Sequence, residues 1–346
     1  MKIAVYSPTI RRKEMNAVLS ALVEDQIGPG EQTKLLIQNV REKLKFDYCL
    51  ALRSPVIALY LAFKSLGLEK GQGVIISALS PLYYAQVLQD LGLIPLYCDV
   101  HPSAAVMSRE TLDRALASKP AGLDIRCIAL HHTLGYLADY TAIKELGIPL
   151  IEDCSQSFGT GFLDPKPGEE LQSTGVLSIL GLEEKDMLTA GGGALLYSKR
   201  SAGHNSIQQN LPPEYGLPDM NAAMAVAQFK EFEKNLVKRR EFSELYTRSV
   251  LRTRHKRFIQ QGADYNNYAF PLILETGVKE VKAYARRKDI AVESAFTNTP
   301  IANAMLNSEQ CPEAYSLSLR TVLFPLYPRL GMAGAEKVAK LIQTLP

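Results

Sequence analysis

Ile148-Pro149-Leu150-Ile151-Glu152-Asp153 sets four apolar residues in a row before two carboxylates. A short unbroken apolar run of this kind suits a strand buried on both faces. Such strands belong to mostly parallel sheets with helices packed above and below. Ligands of these sheets gather outside the carboxyl ends of the strands, and Asp153 stands at such an end. The chain continues through Cys154-Ser155-Gln156. Thirty-two positions after Asp153 comes Lys185, inside the charged run Glu183-Glu184-Lys185-Asp186, and then Gly191-Gly192-Gly193-Ala194.

A strand-end carboxylate and a lysine shortly before a glycine-rich turn are the two contacts that a pyridine aldehyde needs. The acid holds the ring nitrogen protonated, and the amine forms the Schiff base. Each residue also has a plain structural reading. Asp153 could cap the element that follows it, and Lys185 could be a solvated loop lysine whose acidic neighbours keep it charged. The three glycines could serve only a turn that needs positive φ.

Outward from this stretch, strands and helices alternate. Helices are predicted over 10–27, 31–45, 55–66, 81–91, 109–117 and 139–146, and strands at 48–52, 73–77, 94–100, 125–130, 149–153, 175–182 and 194–197. This is the order of an α/β protein with a mostly parallel sheet. From 219 a long helical stretch runs to 250. A strand over 268–274, a helix over 278–287, a strand-like Ile290-Ala291-Val292 and a final helix over 333–344 follow. The reading divides the chain into a large α/β domain over 1–218 and a small α+β domain over 219–346. The stretch 201–218, with three prolines, reads as a loop or linker, and the basic residues at 239–240 and 254–257 as solvated faces.

Composition excludes several classes. Net charge is +3 over 346 residues, too small to imply a nucleic-acid partner. No apolar run approaches the roughly 20 residues of a membrane span, and no signal-peptide pattern opens the chain. The five cysteines are scattered and form no CxxC pair, so no metal site is predicted and a reducing, cytoplasmic setting is expected.

Several pieces resemble one family in order and spacing. Ile27-Gly28-Pro29-Gly30, Leu66-Gly67-Leu68-Glu69-Lys70-Gly71, His132-Thr133-Leu134-Gly135-Tyr136, Ile151 to Gly159, Lys185 to Gly193 and Phe324-Pro325-Leu326-Tyr327-Pro328 are similar to successive motifs of the DegT/DnrJ/EryC1/StrS aminotransferases. These act mostly on nucleotide-linked keto sugars with pyridoxal 5'-phosphate. The resemblance implies an aspartate-aminotransferase-like fold (fold type I), a homodimer, and a glutamate-like amino donor. It implies that Lys185 carries the internal aldimine, that Asp153 pairs with the ring nitrogen, and that Gln156 bonds near the phenolic oxygen. Tyr83 would stack on the ring, and His132 reads as a satisfied strand-end histidine rather than a catalyst.

The phosphate end departs from the family pattern. The turn at the start of a helix reads Ser54-Pro55-Val56, where Pro55 has no N–H to donate and Val56 no hydroxyl. Ser54 is the remaining hydroxyl there, and it also suits a helix N-cap. Leu180 stands five residues before the lysine, where the family has a serine, and Ser178 is the nearest substitute. Glu214 falls where the family's partner subunit supplies an asparagine. These changes raise the alternative of a catalytically silent binding or scaffolding member, or of a sugar enzyme that uses the cofactor without transamination.

Overall fold

The computed structural model describes residues 2–25, 27–163, 175–199, 207, 211–259 and 262–346. Seven strands form the central sheet. Their order is β1 (Tyr48–Leu52), β8 (Ala194–Ser198), β7 (Leu177–Gly181), β5 (Leu150–Asp153), β4 (Ile125–His131), β2 (Gly73–Ser77) and β3 (Ile94–Cys98). The pairs β3–β2, β2–β4, β4–β5 and β5–β7 are parallel, while β8 runs antiparallel to both β7 and β1. The fold is α/β with a mostly parallel sheet, as the alternation predicts.

The period of two along each strand sorts side chains between two apolar layers. Ile151, Leu177, Ile179 and Ala129 face α3 (Pro55–Ser65) and α4 (Tyr83–Asp90). Leu150, Ile128, Leu130 and Leu180 face the opposite layer, shared with α2 (Glu31–Leu44) and α5 (Arg109–Ala117). Ser54 caps α3, its hydroxyl accepting from Ile57 N at 3.3 Å. Pro55 follows at the first helical position, where the missing N–H has no intrahelical partner to lose.

The long helix α7 (Asp219–Val250) joins this body to a second layer. There β10 (Phe270–Ile273), β12 (Thr321–Phe324) and β11 (Glu293–Ser294) form an antiparallel sheet under α8 (Val278–Arg287) and α10 (Gly331–Gln343). Phe270, Leu272, Val281, Val322 and Val338 build its own core. The first half of α7 packs in the large core through Ala222, Val226 and Phe232, and the last part in the small one through Phe242, Tyr246 and Val250. Residue 219 therefore begins a helix that serves both cores.

Three readings are corrected or completed here. Residues 312–324, unassigned by periodicity, form α9 (Pro312–Arg320) and β12. Pairing in the third strand starts at Glu293, whereas Ile290 makes a lone bridge with Ile3. Arg239 is not on a solvated face. Its Nη1 donates to the carbonyls of Asn267 (3.1 Å), Tyr268 (2.9 Å) and Leu326 (2.8 Å), tying α7 to the chain on either side of the small sheet. Half of the predicted loop at 201–218 lies outside the described residues. No helix among the described residues is long and apolar enough to cross a membrane.

Candidate active site

The parallel register of β4 and β5 sets His131 beside Asp153 at the carboxyl end of the sheet. Asp153 is buried, and both of its oxygens are engaged. Oδ1 accepts from Ser155 N at 2.9 Å and from Ser155 Oγ at 2.5 Å. Oδ2 accepts from the Tyr84 hydroxyl at 2.7 Å and, more weakly, from the Tyr83 hydroxyl at 3.3 Å. His131 Nδ1 lies 3.5 Å from Oδ2, a close approach that lacks hydrogen-bond alignment. Burial alone pushes the carboxyl upward. His131 and the bonds from Ser155 and Tyr84 outweigh burial and hold Asp153 well below the usual carboxylate range. Asp153 is thus a permanent anion at neutral pH.

Beside this anion opens a cavity of about 260 Å³. His131, Gln156, Lys185 and Asp186 line it from the large domain, and Tyr268, Leu323 and the segment from Glu293 to Thr299 from the other layer. Lys185 follows β7 in the turn toward β8. Its Nζ lies 4.9 Å from the centroid of the Tyr6 ring, a cation–π contact. Gly191, Gly192 and Gly193 close that turn with φ of 72°, 146° and 126°, a conformation that only glycine adopts without strain. Gln156 is fixed at both ends. Its Oε1 accepts from Leu134 N at 2.6 Å, and its main-chain carbonyl accepts from Asn266 Nδ2 at 2.7 Å.

The structure therefore brings Lys185 and Gln156 into one cavity, whereas Asp153 is buried outside its lining and neighbours it through His131. Tyr83 is not among the residues lining the cavity, its hydroxyl donating to Asp153, while Pro81 is. Ser54 caps α3 through its oxygen. Ser178 points to the other face of the sheet, where its hydroxyl lies 3.4 Å from Glu152 Oε2. There Glu152 also meets His132 Nε2 at 3.1 Å and the Tyr140 hydroxyl. Burial raises Glu152, but His132 and Tyr140 bring it down to about 2. His132 is thus a bonded strand-end histidine, as its sequence setting suggests.

Three groups here escape the sequence reading. His131 and Tyr84 act on Asp153, and their roles depend on strand register and helix rotation. The third is Asp186, whose Oδ2 accepts from Glu183 N at 2.8 Å. Burial of this carboxyl, with the nearby charges of Asp153 and Glu183, pushes it up to about 8.

The residues at the ring end suit a protonated pyridine: an amine and an amide in the cavity wall, and a buried anion next to His131 of that wall. The phosphate end is poorer in donors than the ring end: Pro55 has no N–H, and Leu180 is wholly buried in the core. Ser54 Oγ accepts from Ile57 N and keeps its own proton to donate, beside the backbone groups at the start of α3.

A mostly parallel sheet with a Lys-Asp cavity at its carboxyl edge, beneath a small antiparallel layer, defines an aspartate-aminotransferase-like protein. The chain belongs to the DegT/DnrJ/EryC1/StrS aminotransferase family, which it matches over residues 8–343; this is a pyridoxal-phosphate-dependent enzyme family. It is 22% identical to the GDP-perosamine synthase of Escherichia coli O157:H7, across 95% of this chain and 94% of that one. It is also 22% identical to the dTDP-4-dehydro-2,3,6-trideoxy-D-glucose 4-aminotransferase of Saccharopolyspora spinosa, across 99% and 96%. In fold it is similar to the aminotransferase TlmJ from Streptoalloteichus hindustanus, with a TM-score of 0.87 and 17% identity over 99% of this chain and 98% of that chain.

Proposed function

We propose that this chain transfers the amino group of a glutamate-like amino acid to a nucleotide-linked keto sugar, as a cytoplasmic homodimer that uses pyridoxal 5'-phosphate. The observation that carries this reading is Lys185 and Gln156 in the wall of one cavity beside the Asp153–His131 pair. The names of the full-length relatives, a GDP-perosamine synthase and a dTDP-sugar 4-aminotransferase, support the substrate class. When bound, the cofactor supplies an electron sink for the carbon that loses its proton.

The protein's own residues do the rest. Asp153 would supply the negative charge that keeps the ring nitrogen protonated, and of the bonds it accepts, the one from Tyr83 is the longest and the easiest to give up. Gln156, held by Leu134 and Asn266, is a rigid wall group. Lys185 Nζ is the one primary amine lining the cavity among the described residues, so it is the group that would hold the cofactor's aldehyde and carry a proton there.

Adding pyridoxal phosphate to the purified protein is expected to produce a visible absorption band that Lys185→Ala abolishes. Glutamate should then bleach the band in a half-reaction. An unchanged band rules glutamate out as donor. No band at saturating cofactor overturns the reading and favours a catalytically silent member, the outcome that the phosphate end motivates.

A further inference from the structure

Arg257 belongs to a basic run that reads in the sequence as a solvated face, but the structure turns it inward. It is half-buried, its Nη1 donates to the Thr247 hydroxyl, and its guanidinium carbon lies 5.2 Å from the centroid of the Phe270 ring. It forms no ion pair among the described residues. The side chain faces a cavity of about 810 Å³ between the end of α7 and the β10 strand. Tyr136, Phe258, Tyr265 and Phe270 supply aromatic wall. Lys256 and Arg320 add two further cations, and no Asp or Glu lines the space among the described residues. Glu275 pairs with Lys256 at 2.8 Å but stands outside the lining. The Arg320 Nε is buried without a partner.

This cavity is separate from the candidate active site. The two share only Leu134. They stand back to back across the Thr133–Gly135 turn, whose Leu134 N holds Gln156.

A volume of this size is that of a small-molecule site, and such sites are mostly apolar with a few convergent polar groups. An inward guanidinium without a carboxylate partner, beside aromatic rings, is matched by an anionic group on a flat apolar body. We propose that this cavity is a second small-molecule site, which takes a planar aromatic anion with its rings among Tyr136, Phe258 and Tyr265 and its acid group on Arg257. The proposal is independent of the transaminase reading, since none of these residues is used there.

The probe is 8-anilinonaphthalene-1-sulfonate, followed by fluorescence titration of the full chain, with the uncharged N-phenyl-1-naphthylamine as comparison. The sulfonate is expected to bind saturably at one site. Arg257→Gln should weaken it about tenfold or more, equivalent to about 1.4 kcal/mol, and should leave the uncharged amine unaffected. Lys185→Ala should leave both unchanged. Ser103→Trp, on the loop at the cavity rim, should block binding without altering the core, and so decides the matter if Arg257→Gln does not fold. The proposal is overturned if binding is not saturable, if folded Arg257→Gln binds as tightly as the parent, if Ser103→Trp binds unimpaired, or if Lys185→Ala weakens the sulfonate equally.

Discussion

At Gly181 a side chain is excluded by the site's own polar groups. A Cβ there would stand 2.2 Å from Asp186 Oδ2 and 2.7 Å from Ser155 Oγ, while Gly181 N donates to that same Oγ at 2.8 Å. Gly181→Ala should therefore cost about 1–3 kcal/mol, the usual range for overpacking, read from urea denaturation. Adding Asp186→Ala should recover part of the loss. Asp186 itself makes a pH prediction. Its folded value, up to about 8, lies above that of an unfolded aspartate, so the native state holds a proton that the unfolded state has released. Its contribution to stability is thus full in acid and declines as pH rises toward 8. Asp186→Asn, which stays neutral, should gain stability relative to the parent across that window, measured by urea melts at pH 5 and pH 8. A parallel pH dependence in the two proteins would show that Asp186 does not titrate there. These residue-scale effects also mark what the sequence can disclose. Asp153 and Lys185 stand out in the sequence because strand end, spacing and glycine turn are local signals, whereas Gln156 is marked only by the family resemblance. Asp186 looks like one more member of a charged loop run, since nothing local says that its carboxyl folds back against Gly181.

Among the elements, α2 is the clearest case of a helix whose span is legible, 31–45 expected and Glu31–Leu44 observed, but whose cap is hidden. Its apolar positions follow helical spacing, and Leu36 and Val40 are fully buried. Gly30 at the cap position offers no side-chain acceptor. The acceptor is Asp219, at the start of α7. It takes Gly30 N at 2.8 Å, Gln32 N at 3.0 Å, Thr33 N at 2.9 Å and Thr33 Oγ1 at 2.7 Å. One carboxylate thus replaces the missing cap from 189 positions away, which no local pattern encodes. Asp219→Ala should lose about 1–2 kcal/mol, the cost of a helix cap, in the same denaturation assay. Burial raises the Asp219 carboxyl, but the bonds from Thr33, Gln32 and Gly30 bring it below the ordinary aspartate value. The stabilisation is therefore present above the unfolded pKa and fades as pH falls through the folded one. The difference between parent and Asp219→Ala should narrow in acid, and a gap that stays constant would mean that the charge contributes nothing.

For the whole molecule, the candidate active site is a space between two layers, so its geometry depends on what fixes one layer to the other. The cavity takes His131, Gln156 and Lys185 from the large sheet's edge, and Leu323 and Glu293 to Thr299 from the small one. Helix α7 has residues in both cores, Phe232 in one and Phe242 and Tyr246 in the other, and so do β10 and β12, through Ile273 and Leu323 on one side and Leu272 and Val322 on the other. Between Phe232 and Phe242, Val237 is 52% exposed, so a change there alters the helix without emptying either core. The sequence makes this helix visible but divides the domains at its first residue, because helical periodicity does not report that the apolar face changes partners midway. If α7 couples the layers, the parent protein should unfold in one transition by circular dichroism and calorimetry. Val237→Pro, which breaks a helix interior at a cost of about 3 kcal/mol or more, should separate the unfolding into two steps and weaken cofactor binding. Val237→Thr should preserve the single transition. A single transition in Val237→Pro, shifted only in midpoint, would instead place the coupling in contacts such as those of Arg239 with the carbonyls of Asn267, Tyr268 and Leu326. Arg239→Lys, which cannot keep that planar reach, would then be the variant that divides the molecule.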